Sequence, residues 1–348
     1  MANETLLKPA PPEHQQSPLQ SISMFMNPIW RFLLKQREAS VLGIAIVLVI
    51  YFQVSNNAFL SVLNLGTLSQ YTAPAAIIAA GEVMLLICGE LDLSAGMVFA
   101  LAPFVMFFVA QAGAPLWLGI IAGLLVSAVI GVFNGFVTIY LHVSSFITTL
   151  GTLFLIEGLT LIISGAFAKA TPDENTTTFT PFAQIMGHGT YAEIIWAVII
   201  IVMLQFILSR TPWGLHTIAT GGNPLGASEV GVDTNRIKMI SFITCSVLAG
   251  FTGTLESFRI TSIDPLAGGT GIVFIAIAGS VIGGTALNGG SGSVIGALLG
   301  VLVISILQDG FTLVGVSANE FDLILGIAIL VAMVLNARLQ ELRKAGRE

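Results

Sequence analysis

The stretch AAIIAAGEVMLLICGELDLSAGMVFALAPFVMFFVA, Ala75 to Ala110, holds two apolar runs separated by GELDLSAG, Gly89 to Gly96. Each run belongs to a longer stretch, 66–88 and 94–112, near the length that crosses about 30 Å of hydrocarbon, and the interruption carries two carboxylates, Glu90 and Asp92. Charge is costly at such a depth and persists there for a reason. Read outward from this point, the chain repeats the pattern. It has 348 residues, of which 55% are hydrophobic and 9% charged, with a mean hydropathy of +0.92. An average soluble domain has about 25% charged residues. A soluble fold would need one core of nearly the whole chain with almost no charged surface, and single cores stop growing near that size. A membrane barrel would show alternating ten-residue segments, which these runs lack. The fold class is therefore an all-α polytopic membrane protein.

Ten crossings are predicted, over 40–56, 66–88, 94–112, 115–138, 146–165, 191–209, 237–258, 271–288, 293–311 and 320–336. The basic residues orient them. With the N-terminus inside, Lys8, Arg31, Lys35, Arg37, Arg210, Arg236, Lys238, Arg338, Arg343, Lys344 and Arg347 are cytoplasmic, and Lys169 and Arg259 are external. Both termini are expected in the cytoplasm. The expected organisation is a cytoplasmic tail over 1–39, a transmembrane permease domain over 40–336 with a cytoplasmic loop at 210–236, and a C-terminal tail over 337–348. The first apolar stretch starts too far in for a cleavable secretion signal. Within the tail, Asn27 to Glu38 reads as an interfacial helix, capped by Asn27 and Pro28, with Arg31, Lys35 and Arg37 toward headgroups.

Small residues recur every fourth position at Gly119, Gly123, Ser127, Gly131 and Gly135, and again at Gly292, Gly296 and Gly300. That spacing makes a stripe along which helix backbones approach closely, so both spans are expected inside the bundle. The loop RTPWGLHTIATGGNPLGASEVGVDTNRIK, Arg210 to Lys238, carries its own punctuation. Asn223 suits a helix cap, Pro224 a first turn and Gly231 a stop. Glu229 lies late in that helix, against the macrodipole, which points to a task other than local stability. A short exposed helix of this kind is either a docking knob for a soluble partner, with Ala227 at its middle, or a connector.

The chain lacks a phosphate-binding G-x-x-x-x-G-K-[ST] loop, and the glycine-rich GGTALNGGSGS, Gly283 to Ser293, reads as a tight turn between packed spans. No Ser/His/Asp, Cys/His or H-E-x-x-H arrangement is visible. His14, His142, His188 and His216 are scattered without metal-ligand spacing. Cys88 and Cys245 lie in apolar spans, where cysteine is a small hydrophobe. Neither an enzymatic role, a metal nor a cofactor is expected, and the net charge of −6 says nothing of nucleic acid.

Four motifs in order carry a resemblance: GELDLSAG, ATGGNPLGASEVGVDTNRIK (Ala219–Lys238), PLAGGTG (Pro265–Gly271) and GGTALNGGSGSVIGALLG (Gly283–Gly300). From about Leu63 to Val334 the chain resembles the permeases of ribose-type ATP-binding-cassette (ABC) importers, in the branched-chain amino acid and sugar permease superfamily. The resemblance implies a type II importer permease fold, a second permease copy, two cytoplasmic ATPase subunits, a periplasmic sugar-binding protein and a place in the bacterial inner membrane. It makes the helix from Pro224 to Val230 the coupling helix. Two departures stand out. Val273 and Ile275 occupy positions where such permeases commonly carry Glu and Asp. Glu90 and Leu91 precede Asp92 in a signature that usually reads G-G/I-D-L-S-V-G, and Ala95 replaces its Val. A sugar or sugar-like polyol is the expected cargo. Its identity does not follow; the alternatives are a proton-coupled secondary transporter that uses the buried acids, or a permease of the same fold for an amino acid, nucleoside or signalling molecule.

Three roles remain open for Glu90 and Asp92. Asp92, followed by Ser94, can cap the next span. Both acids can accept hydrogen bonds from a polyhydroxylated solute, or carry protons in a secondary transporter. Asn134 and the run SSFITTL, with Phe146, Thr148 and Thr149, offer neutral polar groups and an aromatic face suited to a sugar. Glu82, Glu157, Glu256 and Asp309 also fall in or near spans, without an assignable role.

Overall fold

A computed structural model describes residues 37–172 and 181–317, and seven further positions: Glu320, Leu323, Ile324, Gly326, Ile327, Leu330 and Val331. In chain order its helices are α1 Arg37–Ser55, α2 Val62–Ile87, α3 Ala95–Gln111, α4 Leu116–Tyr140 and α5 Ser145–Ser164. They continue with α6 Ala192–Arg210, α7 Pro212–Gly222, α8 Pro224–Glu229, α9 Thr234–Ile260, α10 Gly269–Ile282 and α11 Val294–Leu313. A helical turn at Pro181–Ala183 and a π-turn at Gln184–His188 precede α6. Two short strands, β1 Lys169–Ala170 and β2 Ser262–Ile263, pair antiparallel, with Lys169 opposite Ile263.

Local chemistry sets the helix ends. The Ser61 hydroxyl accepts from the Asn64 N–H at the start of α2, Asp233 from Arg236 N–H at α9, and Ser293 from Gly296 N–H at α11. Gly165, at φ +68°, ends α5 in the left-handed conformation that glycine adopts at no steric cost. Pro74 and Pro103 sit inside α2 and α3, which a bundle tolerates because neighbouring helices re-satisfy the freed backbone.

The centre of the molecule is α2. Every residue from Thr72 to Cys88 is buried. Around it pack α9, α10, α11 and α6, while α3 lies between α4 and α9. On the periphery α1 exposes an apolar surface of Ile46, Val47, Ile50 and Val54. Lipid tails are as apolar as leucine, so close backbone packing supplies much of the helix–helix attraction. A side chain at Gly119 would meet Met106 O at 2.8 Å, one at Gly123 would meet Ala102 O at 2.6 Å, and one at Gly131 would meet the Ile243 Cα at 2.7 Å. Gly135 faces the Met239 sulfur in the same way. This edge of α4 therefore lies on α3 and α9. Gly296 faces the Gly283 carbonyl and Gly300 that of Gly279, which presses α11 onto α10, while Gly292 abuts Ile87 at 2.7 Å.

Among the described residues, seven helices are long and apolar enough to cross a membrane: α1 from Glu38, α2, α4, α5, α6, α9 and α11. Two apolar helices are shorter, α3 with 17 residues and α10 with 14. At 1.5 Å per residue they reach about 26 Å and about 21 Å, so neither fills the hydrocarbon alone. The expected span 271–288 is thus corrected: its helix stops at Ile282. Gly283 is wedged against Gly296 and Gly284 turns at φ +96°, so the rest is loop. Of the two, α3 begins inside the bundle, with Ser94 and Ala95 at 0% exposure, where non-helical backbone is tolerated because it is buried in protein. The Gly96 carbonyl lies against Gly268, which turns at φ +79°. The loop over 210–236 is also corrected, since it holds two helices, α7 and α8. Thr211 caps α7 by accepting from Gly214 N–H, with Pro212 in its first turn. The interfacial helix expected from Asn27 lies outside the described residues except for Arg37 and Glu38, which begin α1, and both chain tails lie outside them too.

Candidate functional site

The break between α2 and α3 is built by its glycine. Gly89 sits at φ +79°, its N–H bonds to Leu86 O at 2.9 Å, and the next N–H, of Glu90, bonds to Leu85 O at 3.0 Å. This is a Schellman ending, and its left-handed residue is the one place in the turn where a side chain is strained. The chain then folds back into the protein. Asp92 Oδ1 accepts from Ser94 N–H at 2.9 Å and from the Ser94 hydroxyl at 2.6 Å. The Asn134 amide of α4 reaches both carboxylate oxygens, at 3.3 and 3.4 Å, and the Ser94 hydroxyl at 2.8 Å. The Ser246 hydroxyl of α9 donates to Asp92 Oδ2 at 3.1 Å. Thr152 of α5 donates to Asn134 Oδ1 at 2.7 Å, and Thr149 accepts from Leu93 N–H at 3.1 Å. Glu82 of α2 accepts from Asp92 N–H at 3.4 Å and from the Cys245 thiol at 3.4 Å.

Five helices meet at this knot through neutral donors. Asn134 lies six residues before the end of α4, which at 1.5 Å per residue puts it about 9 Å inside that end. Glu82, Asp92, Ser94, Asn134, Thr149 and Ser246 all have 0% exposure. In this conformation the knot is enclosed, and no solute reaches it. Every donor it holds would cost free energy if left unpaired in the interior.

The other candidates separate from it. Glu90 has turned away, and its carboxylate accepts from Lys238 Nζ of α9 at 2.6 Å, with both side chains partly buried. Thr148 is buried with its hydroxyl unpartnered, and Phe146 is 51% exposed on the outside of α5. The run SSFITTL thus turns Ser145, Thr148 and Thr149 inward and its aromatic outward. Thr152, Ser246 and Lys238 escape the sequence reading. Thr152 had a signal, since it sits three residues beyond Thr149 on the same helical face. Ser246 and Lys238 are distant in sequence and meet the break only through the fold.

Three connectors gather at the end of the bundle where α2 stops. The Gly290 N–H donates to Ile87 O at 2.8 Å, and Gly221, near the end of α7, packs directly on the same carbonyl. Gln205 Oε1 accepts from Val294 and Ile295 N–H at the start of α11. Beyond them stands α8. Asn223 caps it by accepting from Gly226 N–H at 3.0 Å, Pro224 opens it, Glu229 is its last residue and Gly231 turns the chain at φ +89°. Ala227 is buried underneath, while Leu225, Ser228, Glu229 and Val230 are exposed. The opposite end holds β1, β2 and a second charged group. Arg259 lies 3.3 Å from buried Glu193, pairs with Glu256 and donates to Gln70 at 3.4 Å. Nearby in the chain, Asn64 donates to Asp309 at 2.6 Å, tying α2 to α11. Among the described residues no cluster of His, Cys, Asp and Glu is placed to hold a metal.

Residues 64–334 match the family described as "Branched-chain amino acid transport system / permease component". The chain is 37% identical, over 89% of its length and 86% of the relative's, to the xylose/arabinose import permease protein XylH of Sulfolobus acidocaldarius. It is 33% identical, over 87% of its length and 93% of the relative's, to the ribose import permease protein RbsC of Bacillus subtilis. To the autoinducer 2 import system permease protein LsrC of Photorhabdus laumondii it is 32% identical, over 76% and 78%. No solved structure matches the chain. The match spans the break, the knot and the exposed loop helix alike, and the chain belongs to the branched-chain amino acid transport system permease family.

Proposed function

We propose that this chain is the membrane subunit of an ATP-driven importer for a sugar or sugar-like polyol. The observation that carries the reading is family membership over residues 64–334, with relatives named for the import of xylose and arabinose, of ribose and of autoinducer 2. In this reading the chain works in the cytoplasmic membrane with both termini inside, crosses it ten times, and pairs with a second permease copy. Hydrolysis of ATP falls to separate cytoplasmic ATPase subunits, and a soluble extracytoplasmic binding protein delivers the solute.

The coupling helix is α8. It is short, capped at Asn223 and stopped at Gly231, and it presents Leu225, Glu229 and Val230 to solvent while Ala227 anchors it. Two exposed apolar side chains beside an acid are what a cleft in a soluble partner can hold, with specificity from the charge. Asp92, Ser94, Asn134 and Thr149 act as a structural knot that holds the start of α3. Thr148, with its unpartnered hydroxyl, is left as the pathway candidate on that face. Phe146, exposed on the outside of α5, faces lipid or a neighbouring subunit.

The test is ATP hydrolysis by the purified complex of this chain with its ATPase and binding protein in nanodiscs. The binding protein is loaded in turn with D-xylose, L-arabinose, D-ribose, autoinducer 2 or leucine. Stimulation by a sugar supports the reading. Stimulation by autoinducer 2 alone moves the cargo to a signalling molecule on the same fold. Stimulation by leucine alone overturns the sugar assignment.

A further inference from the structure

The link between the exposed helix and the buried break has a definite route through the structure. Only four residues, Val230 to Asp233, join α8 to α9, and the N–H groups of the first three bond back to α8. Gly231 N–H donates to Ser228 O at 3.0 Å, Val232 N–H to Ala227 O at 3.0 Å, and Thr234 N–H to Val232 O at 3.0 Å. Asp233 then caps α9. The elbow is short and hydrogen-bonded, so a push on α8 is passed to the first turns of α9. Lys238 stands there. Its ammonium holds Glu90 at 2.6 Å, and the two side chains are only 22% and 13% exposed. Two residues beyond Glu90, the Asp92 carboxylate fixes the start of α3 and contacts α4 and, through Ser246, α9 itself. The backbone of the break is thus tied to α9 at two levels, by an ion pair near its start and by a neutral hydrogen bond two turns further on.

The knot alone would account for how α3 is held. Glu90 adds nothing to it, since its carboxylate contacts neither Asn134 nor Ser94 in the hydrogen-bond pattern of the break. A charged pair partly out of water is costly to keep, and removing one partner leaves the other charge poorly solvated. Its placement makes sense as a connection between two parts that move relative to the knot.

We propose that Lys238 and Glu90 are positioning residues for transport: the ion pair transmits displacement of α8 and the start of α9 to the Gly89–Asp92 turn, and so couples ATP-driven motion to opening of the inner end of the bundle. This rests on the importer reading above. An α8 that docks the ATPase moves α9, Lys238 draws Glu90 with it, and the turn at Gly89 yields because its glycine tolerates the change. Without the pair, the ATPase still docks and hydrolyses ATP, but the break follows α9 only loosely.

The experiment uses the full complex in proteoliposomes, with binding protein and radiolabelled D-xylose or D-ribose inside the assay, and measures uptake and ATP hydrolysis on the same vesicles. The variants are E90Q, K238M and the exchange E90K/K238E. Each single variant is expected to keep hydrolysis within twofold of the unmodified complex while uptake per ATP falls about tenfold, the factor that ~1.4 kcal/mol of lost coupling corresponds to. The exchange is expected to recover most of that ratio. Thermal stability in detergent, measured on the same proteins, separates coupling from folding: each single leaves one charge unpaired and should melt lower, the exchange should melt close to the unmodified chain, and uptake per ATP is compared on complex that stays folded. An unchanged ratio in both singles overturns the proposal, as does a loss that the exchange leaves unrepaired or that vanishes on complex that stays folded. Failure of the unmodified complex to take up any solute with ATP overturns the importer reading instead, and the pair's role with it.

Discussion

Replacing Asp92 by alanine removes the acceptor at the centre of the knot, and the structure gives the scale of the damage. Four donors lose their partner: the Ser94 N–H, the Ser94 hydroxyl, the Asn134 amide and the Ser246 hydroxyl. The hydroxyls can turn to other acceptors, as the neighbouring Thr149 and Thr152 already do toward carbonyls four residues back. The Asn134 amide keeps its bond to Ser94 Oγ, so the irreducible losses are the Ser94 N–H and part of the amide. At about 1–3 kcal/mol for each buried group left unpaired, D92A should destabilise the protein by roughly 2–5 kcal/mol. D92N keeps the shape and one acceptor oxygen, and should cost about 1–2 kcal/mol. The assay is thermal unfolding of the purified protein in one detergent, followed by the fraction that stays monodisperse after heating, with surface expression as a second reading. The expected order of stability is unmodified, then D92N, then D92A, with uptake lost in step with folded protein. A D92A protein that expresses and melts like the unmodified one, yet transports nothing, would refute the reasoning: Asp92 would then belong to the solute's route and not to the frame.

Other consequences follow from the same contacts. Gly296→Leu should be far more damaging than Leu298→Ala, because Gly296 lies on the Gly283 carbonyl while Leu298 is only partly buried; a bulky residue there should cost about 1–3 kcal/mol, read as expression and detergent stability. Thr152→Val should lose about 1 kcal/mol of stability through the single bond to Asn134, and Thr152→Ser should recover it. Ala227→Pro removes the N–H that bonds to Asn223 O and sets a ring inside α8, about 3 kcal/mol against the helix, and Glu229→Lys reverses the exposed charge at its end. Both proteins should reach the membrane and co-purify poorly with the ATPase, with the loss larger for the proline. For topology, a cysteine at Phe167 should react with an impermeant maleimide from outside intact cells and one at Glu229 only after permeabilisation; the reverse pattern inverts the orientation.

Much of the architecture was legible because a bilayer simplifies the physics. A helix must satisfy its own backbone there, so apolar length alone located α1 through α6, α9 and α11 to within a few residues. Span 271–288 misled for the same reason. It ran on through GTALN, although Gly283 to Ser293 also reads as a tight turn, and the contact of Gly283 with Gly296 shows that the turn wins. The two-helix form of the 210–236 loop was partly written, since Thr211-Pro212 and Asn223-Pro224 are the same start signal used twice, and only the second was read. At the break, Asp92, Ser94, Asn134 and Thr149 could be named from the cost of placing polar groups in apolar runs. What they bind to was not legible. Ser246 and Lys238 come from a helix about 150 residues away, and one sequence carries no record of that meeting. Glu90 and Asp92 looked like one acidic pair, and the fold gives them opposite surroundings: a lysine for one and four neutral donors for the other.

The central claim is that transport by this chain is driven by ATP hydrolysed on a separate subunit. The direct test is uptake of D-xylose and D-ribose into proteoliposomes holding this chain, with and without the ATPase and binding protein, the proton gradient clamped at zero and ATP supplied or withheld on the cytoplasmic face. The account predicts uptake only when ATPase, binding protein and ATP are all present, unaffected by clamping the gradient. Uptake by this chain alone, driven by an imposed proton gradient and abolished by neutralising Asp92 in a protein that still folds, would contradict it.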